Sequence, residues 1–345
     1  MTELSLALFL SCIFIFSVLL TGIIRQYSLR NLLIDIPNER SSHSQPTPRG
    51  GGLSITLSVL MSTELLYCLQ ITSLDLTIAL GGGGLLVAIV GWLDDHRDIS
   101  AIWRAISYTT AAIWAVYWLD GLNSITLGEY VMSLPVSGSL FAVLGLAWLT
   151  NLYNFMDGTD ALAAVQAICA GIFSGIMFLS SGRQDLAILC FVISTASSGF
   201  LYWNWPPAKI FMGDVGSCLI GFSFGLLAII GEKSDTLPVL VWFILLSVFI
   251  CDSTLTLLMR ILKGEKWYSA HRLHAYQRLV QMGVSHNNLA MGVLGINVMI
   301  LWPTAYIAYR WEKLSCVVAS IVLLLMCIVW GVIQLRYNRL SISVN

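Results

Sequence analysis

Residues 140–180 read LFAVLGLAWLTNLYNFMDGTDALAAVQAICAGIFSGIMFLS. Two runs of hydrocarbon flank a polar knot, NLYNFMDGTDALA at 151–163. Each flank is long enough to cross the ~30 Å apolar layer of a bilayer as a helix. Asn151, Asn154, Asp157 and Asp160 fall within ten positions of a chain that is only 11% charged. Polar groups at a membrane edge are costly and mark function. A polar turn between helices accounts for Gly158 and for one N-capping aspartate. It does not account for two amides one turn apart on the same helix face. The combination suits a site that holds a metal and a phosphate.

The rest of the chain has the same character. Its 345 residues are 57% hydrophobic, with a mean hydropathy of +0.81, whereas a soluble domain carries about 25% charged residues. Eleven apolar runs are long enough to span, with approximate limits 4–24, 52–70, 77–93, 101–119, 139–156, 161–180, 186–203, 216–231, 237–258, 289–309 and 314–335. They predict an all-α polytopic membrane protein of about eleven transmembrane helices. The run 216–231 is short and rich in glycine, which predicts a tilted or shallow helix. The first run is too long for a signal segment and lacks a basic leader, so it reads as a retained span. The eight cysteines all lie in apolar runs and none forms a CxxC, so they read as small buried hydrophobes. The near balance of 18 basic and 19 acidic residues gives no support to a nucleic-acid partner.

Lysine and arginine set the orientation. With the N-terminus outside, the inside segments carry 14 basic residues and the outside segments only Arg183, Lys233, Arg310 and Lys313. That bias predicts N-out/C-in. Every dense polar motif then falls on the cytoplasmic face. The longest outside segment, DGLNSITLGEYVMSLPVSG at 120–138, predicts a small periplasmic β-hairpin. No internal repeat suggests the duplicated halves of a transporter. One integral-membrane domain over 1–345 is expected.

Four further clusters carry chemistry. The first cytoplasmic loop, DIPNERSSHSQPTPRGGG (35–52), contains Arg40, His43 and Arg49 in a loop stiffened by proline; a plain positive-inside loop explains it equally well. WLDDHRDIS (92–100) ends a helix on Asp94 and Asp95, where acids oppose the helix dipole. Adjacent carboxylates suit proton abstraction or magnesium binding, and Arg97 and Arg104 nearby suit a phosphate. In AKIFMGDVGSCLIG (208–221), Asp214 precedes a helix start. One aspartate there suits Mg²⁺ while the free amides and Lys209 face a diphosphate; an ordinary cap by Asp214 or Ser217 is the bland reading. The loop 260–288 contains SAHRLHAYQRLV, with His271, Arg272, His274 and Arg278. A zinc site needs more ligands than these, so phosphate or nucleotide contact fits better, against a merely amphipathic basic loop. Taken together, Asp94, Asp95, Asp157, Asp160 and Asp214 would repel one another without a divalent cation. Magnesium with a diphosphate is the guest this chemistry suits, with Mn²⁺ as a substitute.

LDD at 93–95, NLYNFMDGTDALA at 151–163, FMGDVGS at 211–217 and HRLHAYQRL at 271–279 resemble, in order and spacing, the polyprenyl-phosphate N-acetylhexosamine-1-phosphate transferases of glycosyltransferase family 4. The HRxHxYQ form, with PNxRSSHxxPTPRGGG at 37–52, is similar to the bacterial branch that initiates O-antigen and related surface polysaccharides. The resemblance implies transfer of N-acetylhexosamine-1-phosphate from a UDP-sugar to undecaprenyl phosphate, with release of UMP, in the bacterial inner membrane. It implies Asp214 and Asn154 as metal ligands. Asp94 and Asp95 would lie near the lipid phosphate, with Asp94 the candidate proton acceptor. Asp157 and Asp160 would be nucleotide-side acids. His271 and His274 would contact the diphosphate or sugar, with Asn151, Arg104, Lys209, Arg272 and Arg278 as further binding groups. Ala161 departs from the family, where many relatives have glycine. The partners expected are the UDP-sugar, undecaprenyl phosphate and the lipid bilayer, and a homodimer is compatible with the sequence. The rival readings are a polytopic transporter of a phosphorylated solute and a CDP-alcohol phosphotransferase; the spaced DGxxAR aspartate motif of the latter is absent.

Overall fold

Each apolar run is helical in the computed structural model, which describes residues 2–37, 45–97, 99–266 and 271–344. Arg40 and His43 lie outside the described residues. The chain runs α1 (Glu3–Arg30), β1 (Ile34–Asp35), β2 (Thr47–Pro48), α2 (Leu53–Cys68), α3 (Leu74–His96), α4 (Ala101–Trp118), β3 (Ser124–Leu127), β4 (Tyr130–Ser133), α5 (Ser137–Phe155), α6 (Leu162–Ser180) and α7 (Gln184–Asn204). It continues through α8 (Asp214–Lys233), α9 (Val239–Leu245), α10 (Ser247–Leu262), α11 (Ala275–Gln281), α12 (His286–Ile296), a π-helical turn (Asn297–Leu301), α13 (Trp302–Arg310) and α14 (Glu312–Val344).

The protein is an all-α, multi-pass membrane protein. Among the described residues, seven helical spans are long and apolar enough to cross a bilayer, and an eighth is formed if the bent pair α9–α10 counts as one. Helices α4 and α5 fall outside that set. They carry Arg104 and the amides Asn151 and Asn154, so site chemistry dilutes their hydropathy. Polar side chains begin several helices in the expected way. The Thr2 hydroxyl accepts the Ser5 N–H at 3.3 Å, and Ser73 accepts the Leu76 N–H at 3.3 Å.

Helix α8 extends beyond the short glycine-rich run 216–231 at both ends. It has 20 residues, and 94% of its apolar window is buried inside the protein. Its glycines let neighbouring backbones approach, as small residues do between membrane helices. A Cβ on Gly52, before α2, would lie 2.5 Å from Gly216 Cα; one on Gly221 would lie 2.5 Å from the Leu149 carbonyl of α5. By contrast, the apolar windows of α1 and α14 are each only 17% buried, which leaves their hydrocarbon for lipid.

The hairpin expected at 120–138 is present. Leu127 pairs with Tyr130 and Ser124 with Ser133, and Gly128 turns the chain at φ +68°.

Two interruptions are not visible in the apolar pattern. The run 237–258 bends by 80° between α9 and α10, where Leu246 leaves helical geometry at φ −101°, ψ 8°. The Gln166 amide donates to the Leu245 carbonyl at 2.9 Å and accepts from the Asn297 amide at 2.9 Å. One buried glutamine thus joins the break in α9–α10 to the π-helical turn after α12. Buried backbone that loses its helix partner needs such a replacement.

Candidate active site

Four segments meet where α3 and α5 end and α8 begins. The neighbouring acids Asp94 and Asp95 sit in the last turn of α3 and serve different partners. Asp94 accepts the Ile99 N–H at 2.6 Å on Oδ1 and Arg104 Nη1 at 2.7 Å on Oδ2. The same guanidinium nitrogen reaches Asp214 Oδ2 at 3.3 Å. Arg104 therefore bridges an acid of α3 to the acid that opens α8. Asp95 is buried and accepts the backbone N–H groups of Asp214 at 3.0 Å and Val215 at 3.3 Å. It caps α8 from another helix and supplies the negative charge that a helix N-terminus favours. Gly213 precedes the cap at φ +77°, and a Cβ there would lie 2.5 Å from an Asp95 oxygen. Glycine is required on both counts.

Helix α5 brings its amides to the same place. Asn154 Nδ2 donates to Ser217 Oγ at 3.1 Å, and Ser217 donates to the Gly213 carbonyl at 3.0 Å. Asn151 lies one turn earlier, half-buried on the same helix. In the turn after α5, burial pushes the Asp157 carboxyl well above the ordinary carboxylate range; the like charges of Asp214 and Asp95 add to this, and the Gly213 N–H opposes it. Asp94, Asp95, Asp157 and Asp214 thus face one another across the start of α8, with Arg104 bonded to two of them.

Asp160 belongs to the adjoining wall. It accepts the Ala208 N–H at 3.0 Å and lies 3.1 Å from His286 Nδ1. The next residue, Ala161, takes a left-handed φ of +65°. Its N–H is held at 2.8 Å by Asn204, which also donates to the Ile210 carbonyl. The methyl group at this glycine-favouring position is accommodated, with the polar contacts of the α7–α8 loop fixing the turn.

The histidine motif forms a third wall. Tyr276 donates its hydroxyl to the Phe155 carbonyl at 2.9 Å, and Gly158 packs so closely against that hydroxyl that a Cβ there would collide with it. His271 and His274 have ring centroids 4.9 Å apart. Burial holds the His271 imidazole down to about 3, and the neighbouring His274 and Arg260 act in the same direction. His271 is therefore neutral at pH 7, a hydrogen-bonding group rather than a cation.

Two of the expected binding cations make other contacts. Arg278 lies over the Tyr337 ring at 4.7 Å and donates to Asn338 Oδ1 at 3.1 Å, which ties α11 to α14. Lys209 sits over the rings of Trp203 and Tyr202, at 5.6 and 5.9 Å. The Arg272 backbone carbonyl accepts the Gln281 side-chain amide at 3.3 Å, within the histidine element. Ser217 was legible in the sequence only as a helix cap, and Asn204, His286 and Asp252 carried no assigned role. An acid inside an apolar run was the available signal for Asp252; for Asn204 and His286 no local pattern pointed to a role.

The donor set suits an open magnesium site. Among the described residues, no three His, Cys, Asp or Glu side chains are grouped to enclose a metal by themselves. Mg²⁺ does not need such a cage, since it binds through one or two carboxylates, substrate phosphates and water. The acids around Asp214, offset only in part by Arg104, could supply the carboxylates and the charge.

Comparison with known proteins agrees with this chemistry. Residues 77–232 match the model of glycosyl transferase family 4. The chain is 31% identical over 279 residues to a probable undecaprenyl-phosphate N-acetylglucosaminyl 1-phosphate transferase of Bacillus subtilis, covering 78% of this chain and 75% of that protein. It is 30% identical to a decaprenyl-phosphate N-acetylglucosaminephosphotransferase of Mycolicibacterium smegmatis, covering 79% and 74%. It is 28% identical to the undecaprenyl-phosphate alpha-N-acetylglucosaminyl 1-phosphate transferase of Escherichia coli K12, covering 79% and 75%.

Proposed function

The chain belongs to glycosyl transferase family 4, among the polyprenyl-phosphate N-acetylhexosamine-1-phosphate transferases, and on that premise we propose that it transfers N-acetylhexosamine-1-phosphate from a UDP-sugar to undecaprenyl phosphate. The observation that carries this reading is the cluster Asp94–Arg104–Asp214, with Asn154 beside it, at the start of α8. An oxygen of the lipid phosphate attacks the sugar-bearing phosphorus. The bond from that phosphorus to the UMP oxygen breaks, and UMP leaves. One phosphoanhydride replaces another, so catalysis is mainly positioning and charge neutralisation.

Asp214 and Asn154 would hold Mg²⁺, which when bound supplies positive charge to the diphosphate. Arg104 keeps Asp94 and Asp214 in register. Asp94 is placed to accept a proton from the lipid phosphate, yet a phosphate monoester with a second pKa of about 6 is largely dianionic at pH 7. Asp94 therefore acts chiefly by organising the acceptor. Asp157 and Asp160 form the nucleotide side, and neutral His271 with His274 meets the diphosphate or sugar. An apolar groove of about 440 Å³ between α5, α8, α9 and α10, lined by Leu146, Leu149, Leu152 and Trp242, suits the prenyl chain. It adjoins the helix that bears Asn151 and Asn154.

The same reading places the acids on the cytoplasmic face of the bacterial inner membrane, within one integral-membrane unit that initiates O-antigen or related polysaccharide synthesis. A transporter is disfavoured, because the acids Asp94, Asp95, Asp157 and Asp214 gather at helix ends and not at mid-span. The test is transfer of radiolabel from a panel of UDP-sugars to undecaprenyl phosphate. UDP-GlcNAc comes first in that panel, since the relatives' names print N-acetylglucosamine. Asp214→Asn is expected to lower the rate by 100-fold or more, on the order of 3 kcal/mol; a variant at wild-type rate would remove Asp214 from the metal site.

A further inference from the structure

A buried acid of the membrane domain holds the start of the histidine helix. Asp252 lies in the second turn of α10 and is 6% exposed. Ionisable groups in membrane helices are costly and persist where they have partners and a role. Asp252 has four neighbours of this kind. Its Oδ1 accepts the Ala275 N–H at 2.8 Å, and its Oδ2 accepts the Tyr276 N–H at 3.2 Å. The Thr256 hydroxyl donates to Oδ1 at 3.1 Å while accepting Trp330 Nε1–H at 3.1 Å. Finally, His274 Nδ1 lies 3.4 Å from Oδ1, within ion-pair distance, and is otherwise without a polar partner.

The last contact goes beyond anchoring. Two amide bonds would suffice to cap α11. The imidazole is buried at 4% exposure, with its ring between Asp252, His271 and Phe155. A carboxylate beside Nδ1 favours the tautomer with its proton on that nitrogen, which would leave Nε2 as the acceptor. Second partners of this kind fix the tautomer and direction of a histidine. We propose that Asp252, oriented by Thr256, is a positioning residue of the transfer site, acting through His274. The proposal rests on the transferase reading above.

Asp252→Asn keeps the shape but places an amide N–H₂ where an acceptor is needed. Turnover with UDP-GlcNAc and undecaprenyl phosphate is expected to fall 10- to 100-fold, the range typical of outer partners that orient an imidazole. The deciding readout is a double-mutant cycle with His274→Gln. In the His274→Gln background, Asp252→Asn is expected to cost less than twofold, since its route to the site is already gone. An equal loss in both backgrounds assigns Asp252 to folding alone and overturns the proposal; so does wild-type turnover in Asp252→Asn. Thr256→Val removes only the hydroxyl donor and is scored by the same cycle, with a three- to tenfold loss expected in the native background, if Asp252→Asn does not purify as a monodisperse protein. A wild-type protein inactive on every UDP-sugar would instead defeat the transferase reading, so the two failures are separable.

Discussion

Asp94 and Asp95 are adjacent in sequence, and their side chains leave the helix in different directions. One is held by Arg104 and the Ile99 amide; the other caps α8. The acid pair is thus one site group and one structural brace. His271 supplies a residue-scale prediction. Its folded-state pKa is about 3, well below the ordinary 6.5. Between those values the unfolded chain binds a proton that the folded chain does not, so stability is lost as pH falls from 6.5 toward 3. Thermal unfolding in detergent is expected to show this slope in the wild type and a shallower one in His271→Gln; identical slopes would mean that His271 is not held neutral. The identities of the acids, amides and histidines were legible in the sequence, because charge is rare in an apolar chain. Which partner each one faces was not legible. Arg278, in α11, turns toward α14, where its guanidinium lies over the Tyr337 ring and donates to Asn338.

At the scale of elements, the helices followed from the length of their apolar runs, and the hairpin followed from alternation about Gly128. The bend at Leu246 and the π-helical turn at Asn297–Leu301 did not, since no proline or glycine stands at Leu246 and hydropathy is blind to a helix break compensated by Gln166. The burial of α8 was also hidden: its glycines signal close packing only once the neighbouring helices are in place. Gly52 meets Gly216 there, with no room for a methyl group. Gly52→Ala is therefore expected to destabilise the protein by about 1–3 kcal/mol, read as a fall in the thermal unfolding midpoint. An unchanged midpoint would show that α2 and α8 separate at little cost.

At the scale of the molecule, the ends of α3 and α5 and the start of α8 place Asp94, Asp95, Asp157 and Asp214 at one end of the bundle. The basic residues concentrate in the segments on that same side. The orientation that follows predicts that a reporter fused after residue 345 reads cytoplasmic and one inserted at 128–129 reads periplasmic; the reverse pattern would move the site to the wrong side for a nucleotide sugar. If this end of the bundle joins a nucleotide sugar to a membrane phosphate, as proposed, the purified protein releases UMP. UMP is expected from UDP-GlcNAc or another UDP-N-acetylhexosamine only when undecaprenyl phosphate and Mg²⁺ are both present, in step with a new lipid-linked diphosphate sugar. UMP formed without the lipid, or no UMP from any such donor with all components present, would contradict it.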